Sequence, residues 1–67
     1  MTIFISSSQM KPATKTKTYR GKRYSLHTIT NGPSADKIGK ALDNNKISNL
    51  QVPCRHDGQS MYAIYVR

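Results

Sequence analysis

Cys54, His56 and Asp57 fall close together in the stretch CRHDG, and a thiol, an imidazole and a carboxylate in that order raise the question of a nucleophile. On a strand, Cys54 and His56 project from one face, near Asp57. A working thiolate needs more than this: a base within hydrogen-bond reach, an oxyanion site and a pocket walled off from water. A hairpin tip in a chain this small supplies little of it. The expected roles are structural, with Cys54 as a small buried hydrophobe facing Met61 and Asp57 present for turn geometry.

Metal chemistry fares no better. Cys54, His56 and His27 are all zinc-ligand types, but a structural zinc site takes four ligands in paired spacings such as CxxC and HxxxH, and neither spacing occurs. There is no Glu, so paired acid and base carboxylates are not on offer, and no GxxxxGK[ST] or GxGxxG phosphate loop is present. The expectation is a protein that is not an enzyme, with no catalytic residues, no metal and no cofactor.

Charge is the more informative chemistry. Eleven Lys and Arg against three Asp give a net charge of +8 and a pI near 10.1, a field that favours polyanions. Nucleic acid, an acidic protein surface and anionic lipid are the classes in play. Lipid ranks last, since no apolar run approaches the ~18 residues of a spanning helix and no basic amphipathic helix is evident. The charge concentrates in KTKTYRGKRYSLH, residues 15–27, where Lys15, Lys17, Arg20, Lys22 and Arg23 are interleaved with Tyr19 and Tyr24 around Gly21.

The leading expectation is nucleic-acid binding, to DNA or RNA. The five cations would neutralise phosphates, and Tyr19 or Tyr24 would stack on an exposed base. The alternative is a protein-directed inhibitor or adaptor of the kind phages and other mobile elements encode. Its basic face would dock on an acidic or nucleic-acid-binding host protein, with Tyr62, Ile64, Tyr65 and Val66 as the apolar anchor.

These side chains need a scaffold to hold them. At 67 residues, with 36% hydrophobic residues, no Trp and one Phe, the chain reads as one small basic domain over residues 1–67. It lies below the roughly 70–80 residues at which one core is comfortably stabilising. A homodimer would add buried area. Cys54 is the single cysteine, which excludes an internal disulfide and suits a reducing cytoplasm, and MTIFISSS lacks the cationic start and long apolar centre of a secretory signal.

Element signals define the expected fold: α+β, a small ββαββ domain with an extra N-terminal strand, its antiparallel or mixed sheet carrying one helix on one face. Residues 2–6 (TIFIS) read as the extra strand, and residues 7–14 as a loop or linker. Gly21 offers the first central position of a II′ turn, setting Tyr19 opposite Tyr24, Lys17 opposite Leu26 and Arg20 opposite Arg23. Tyr19, Tyr24 and Leu26 then share one face, while Thr18, Arg20, Arg23, Ser25 and His27 share the other. A competing turn at Arg20 and Gly21 would move Tyr24 relative to Tyr19 and is expected to exchange the faces.

The helix is expected over NGPSADKIGKALDNNK, with Ser34 as N-cap, Pro33 before it, Asp36 in the first turn and Asn44 and Asn45 closing it. Its stripe is Ala35, Ile38, Ala41 and Leu42, with Gly39 allowing close approach to a sheet. In the C-terminal third, Asp57-Gly58 is a type I′ turn that pairs Cys54 with Met61, Val52 with Ala63 and Leu50 with Tyr65. Tyr62, Ile64 and Val66 make the last strand apolar on both faces, which places it mid-sheet. Pro53 pushes its own strand toward an edge. If the helix covers one side only, the N-terminal strand or a second subunit must cover the Tyr62, Ile64 and Val66 side.

Overall fold

A computed structural model describes residues 1–6 and 12–67; residues 7–11, within the expected loop, lie outside the described residues. The chain is an α+β fold in the order β1 (Thr2–Phe4), β2 (Thr16–Tyr19), β3 (Lys22–Thr30), α1 (Gly32–Asn44), β4 (Asn49–His56) and β5 (Gln59–Val66). The strands form one mixed sheet in the spatial order β1-β4-β5-β3-β2. Only β1 runs parallel to its neighbour, β4. The ββαββ plan with its extra strand is therefore present, and β5 sits in the centre, as a strand apolar on both faces must.

The β4–β5 hairpin follows its turn chemistry. Asp57 (φ 50°) and Gly58 (φ 75°) both adopt the left-handed conformation of a type I′ turn. Cys54 pairs with Met61, Val52 with Ala63 and Leu50 with Tyr65. Among the described residues, β1 pairs with β4 as far as Phe4 opposite Gln51, and Pro53 falls beyond that cover. A residue without an N–H is tolerated where no outer neighbour asks for one.

The first hairpin corrects the expected register. Arg20 (φ 51°) and Gly21 (φ 77°) form the turn, so Gly21 is the second central residue, not the first. Tyr19 pairs with Lys22, Thr18 with Arg23, Lys17 with Tyr24 and Thr16 with Ser25. The pairs Tyr19/Tyr24, Lys17/Leu26 and Arg20/Arg23 do not form, and Arg20 leaves the strand. The slip amounts to two residues, and side chains alternate with a period of two, so the faces are not exchanged. Lys17, Tyr19, Lys22, Tyr24 and Leu26 share one side, and Thr16, Thr18, Arg23 and Ser25 the other. His27 leaves this alternation as the extra residue of a β-bulge between Leu26 and Thr28. The bulge switches parity, so Leu26 (opposite Tyr65) and Ile29 (opposite Ala63) both reach the same buried face.

The helix begins one turn earlier than expected. Asn31 is the N-cap, its Oδ1 accepting from the Ser34 amide at 3.0 Å, and Pro33 lies inside the first turn, where a missing N–H costs nothing. Ser34 is thus not the cap, and Asp36 lies past the first turn. Asn45 closes the helix, its Nδ2 donating to the Ala41 carbonyl at 2.9 Å. Ala35 and Gly39 are buried and Ile38 and Leu42 half-buried, whereas Ala41 is exposed and leaves the expected stripe. A Cβ on Gly39 would stand 3.1 Å from Thr2 Oγ1, so the glycine does allow the close approach.

α1 lies on the Tyr62, Ile64 and Val66 side of the sheet. A Cβ on Gly32 would be 3.5 Å from Tyr62 Cε2, and the Thr2, Asn49 and Val66 row runs under Gly39. The expected need for a second subunit on that side is removed. The opposite face holds the cluster Tyr24, Leu50, Cys54, Ala63 and Tyr65, which the curl of the sheet brings together, with Ile3, Leu26, Ile29, Val52 and Met61 around it. Ile5 and Ala13 pack on this face, and Thr14 is tied to it: the Tyr65 hydroxyl accepts from the Thr14 amide (3.1 Å) and donates to the Thr14 carbonyl (2.8 Å).

One polar junction joins β1, α1 and β4. Asp43 accepts from the amino terminus at 2.9 Å, from Asn49 Nδ2 at 3.0 Å and from Thr2 Oγ1 at 3.0 Å. The amino-terminal hydrogen bond, partly opposed by desolvation and joined by those from Asn49 and Thr2, holds its carboxyl below the usual range.

Candidate nucleic-acid interface

The pairing of β3 with β5 ends at Ser25 opposite Val66, so the hairpin from Lys17 to Tyr24 projects past the central strand as a two-stranded ribbon. Lys15, Arg20, Lys22 and Arg23 are exposed on it and Lys17 is half-buried. The chain has only three acidic side chains, and each is engaged elsewhere. Asp36 meets Lys40 at 3.4 Å, Asp43 meets the amino terminus, and Asp57 lies 3.6 Å from His56 Nε2. The five hairpin cations therefore have no carboxylate partner among the described residues. Their field is left for solvent ions or a polyanion to neutralise.

Arg20 is positioned by two features. Its left-handed backbone turns it out of the strand, and its guanidinium carbon lies 5.6 Å from the centre of the Tyr19 ring. Tyr19 is half-buried and packs against the core cluster. Tyr24, the other ring expected to stack, is 4% exposed and belongs to the core cluster, so it has no face to offer a base. The expected protein anchor meets the same obstacle: Ile64 and Tyr65 are buried, and Tyr62 and Val66 are half-buried.

Residues not singled out from the sequence complete the ribbon. Thr16, Thr18 and Ser25 are exposed on the Arg23 face. The alternation of TKTKT carried that signal, since every second residue of a strand shares a face. Arg67 is also exposed, and the β3–β5 register carried one step past Val66 brings it beside Tyr24.

The thiol and imidazole do not assemble. Cys54 is buried and desolvation pushes its thiol up, away from thiolate, while His56 and Asp57 are exposed at the hairpin tip. Among the described residues, no three His, Cys, Asp or Glu side chains come close enough to hold a metal ion. A cavity of about 260 Å³ lies between α1 and β1, lined by Thr2, Phe4, Asp36, Lys40 and Asp43 among others. Both of its carboxylates are already engaged, as above. No helix among the described residues is long and apolar enough to cross a membrane. No family model, curated protein or solved structure matches this chain.

Proposed function

We propose that this chain is a non-enzymatic nucleic-acid-binding protein that contacts phosphates through the β2–β3 hairpin. Lys15, Lys17, Arg20, Lys22 and Arg23 are the phosphate contacts, and Tyr19, half-buried against the core, is the less buried of the two hairpin rings. One observation carries this: five cations stand together on an ordered ribbon with no carboxylate partner among the described residues. A free, buried Cys54 suits a reducing compartment, and the reading places the protein in the cytoplasm. A second copy would add a second ribbon, although the β5 side chains under α1 do not need one for cover.

The turn residue adds support. Both hairpins have a left-handed first turn residue, but β4–β5 places Asp57 there and β2–β3 places Arg20. Left-handed backbone costs an ordinary L-residue about 1–2 kcal/mol, and Asn, Asp or Gly relieves that cost. Left-handed backbone at a residue with no local preference for it motivates a functional role there, although Lys46 outside the hairpin shares it. Arg20→Asn is therefore expected to raise the thermal midpoint by a few degrees, at about 4–8 °C per kcal/mol for a domain of this size, while weakening nucleic-acid binding. A lower midpoint, or unchanged affinity, would remove Arg20 from the site.

For the alternative, an inhibitor or adaptor of phage or mobile-element type docking on an acidic host protein, Ile64 and Tyr65 are buried and Tyr62 and Val66 remain half-buried, which reduces its anchor to two partly open residues. The direct test is titration with random-sequence DNA and RNA at two salt concentrations. Binding weaker than about 100 μM at low salt would overturn the nucleic-acid reading.

A further inference from the structure

The two faces of the projecting ribbon differ. One carries Tyr24 and Leu26 into the core, so the fold itself occupies much of it. The other presents Thr16, Thr18, Arg23 and Ser25, all exposed. α1 lies on this same side, over β5, β4, β1 and β3, and leaves Thr16, Thr18, Arg23 and Ser25 exposed. The bare face is short-chained and rich in hydroxyls, with one guanidinium.

We infer that the bound nucleic acid is duplex DNA, whose major groove receives the β2–β3 ribbon with Thr16, Thr18, Arg23 and Ser25 toward the base edges. This deepens the nucleic-acid reading above and rests on it. Three features lead there. Single-strand binders stack successive bases on several open rings. This hairpin has Tyr19 alone, half-buried and already beside Arg20. Second, two strands about 4.8 Å apart, with their side chains, fit a groove about 12 Å wide, whereas the major groove of duplex RNA is too deep and narrow to be read. Third, the side chains match their places. Short hydroxyls let the backbone come close and either donate or accept at base edges, and a guanidinium is the usual bidentate partner of guanine. Lys15 and Arg20 at the ends of β2, Lys17 on its back and Lys22 at the start of β3 are left for the phosphates of the groove walls, so in duplex DNA Arg23 passes from the five phosphate contacts to the base edges.

The test uses the full chain and fluorescence anisotropy at low salt with three probes of one length and random sequence: duplex DNA, single-stranded DNA and duplex RNA. Duplex DNA is expected to bind about tenfold tighter than either of the others. Equal or tighter binding to single strand or to duplex RNA overturns the duplex-DNA inference and leaves the nucleic-acid reading standing; binding to none of the three overturns both. A fourth probe addresses the groove. Duplex DNA whose pyrimidines carry a bulky 5-substituent fills the major groove without altering the phosphates, and it is expected to bind about tenfold more weakly than plain duplex. Unchanged affinity for that probe overturns insertion of the ribbon.

Discussion

Raising salt from about 50 to about 200 mM is expected to weaken the binding of duplex DNA by about 150-fold, because the four phosphate contacts left to the groove walls give a log–log slope near −3.6. Each contact releases condensed counterions, and the gain from that release shrinks as bulk salt rises. Removing one of these four, together with the base-facing Arg23, in Arg20→Ala with Arg23→Ala is expected to bring the slope to about −2.7, so the same change in salt costs only about 40-fold. Stability should change little. Among the described residues neither guanidinium is held by a carboxylate, and the Tyr19 ring contact of Arg20 is worth about 0.5–1 kcal/mol at an exposed site. Affinity measured against salt and a thermal melt of each variant check both halves. A parent slope shallower than about −2 would mean an interface centred on apolar anchors, not phosphates. A collapse of the melt in the double variant would mean that the arginines hold the hairpin together.

Leu50→Ala is expected to cost about 2–5 kcal/mol. Leu50 is fully buried, pairs with Ile3 on one side and Tyr65 on the other, and sits within the cluster that the curled sheet encloses. A chain of this length has roughly 3–10 kcal/mol of stability in total, so the variant loses a large share of it and can fall below the folding threshold. Urea unfolding followed by circular dichroism measures the loss. A cost under about 1 kcal/mol would show that the cluster collapses around the vacancy, and that the main core lies instead under α1.

How far these places could be read in advance depended on local chemistry. Asp57-Gly58 announces its turn type, and the β4–β5 register followed with every pair as expected. Arg20 announces nothing, because arginine has no preference for left-handed backbone; the Gly21 turn was therefore displaced and the β2–β3 register slipped by two. The faces survived because two is the period of a strand. The His27 bulge has no glycine or proline to mark it, and it arises from the demand of Leu26 and Ile29 for the same buried face. At the helix start, Ser34 and Asn31 are both competent caps. Asn31 wins because Pro33 fits the first turn and hands its role as donor to the Ser34 amide. The five cations were legible as a cluster, but the burial of Tyr24, Ile64 and Tyr65 was not. An apolar residue on a two-faced strand does not reveal which segment will cover it.

β1 supplies the last consequence. It is three residues long and reaches β4 from the far end of the chain, so closing that loop is entropically late and opening it is cheap. The amides of Ile5 and Asn49, which bond across this seam, are expected to exchange with deuterium well before those of β5. Each opening bares the outer edge of β4 over Asn49–Gln51, where no lysine stands guard, unlike the lysine-studded outer strand β2. Self-association of this protein, when concentrated or warmed, should therefore start at the seam farthest from the basic ribbon and leave that ribbon free to bind.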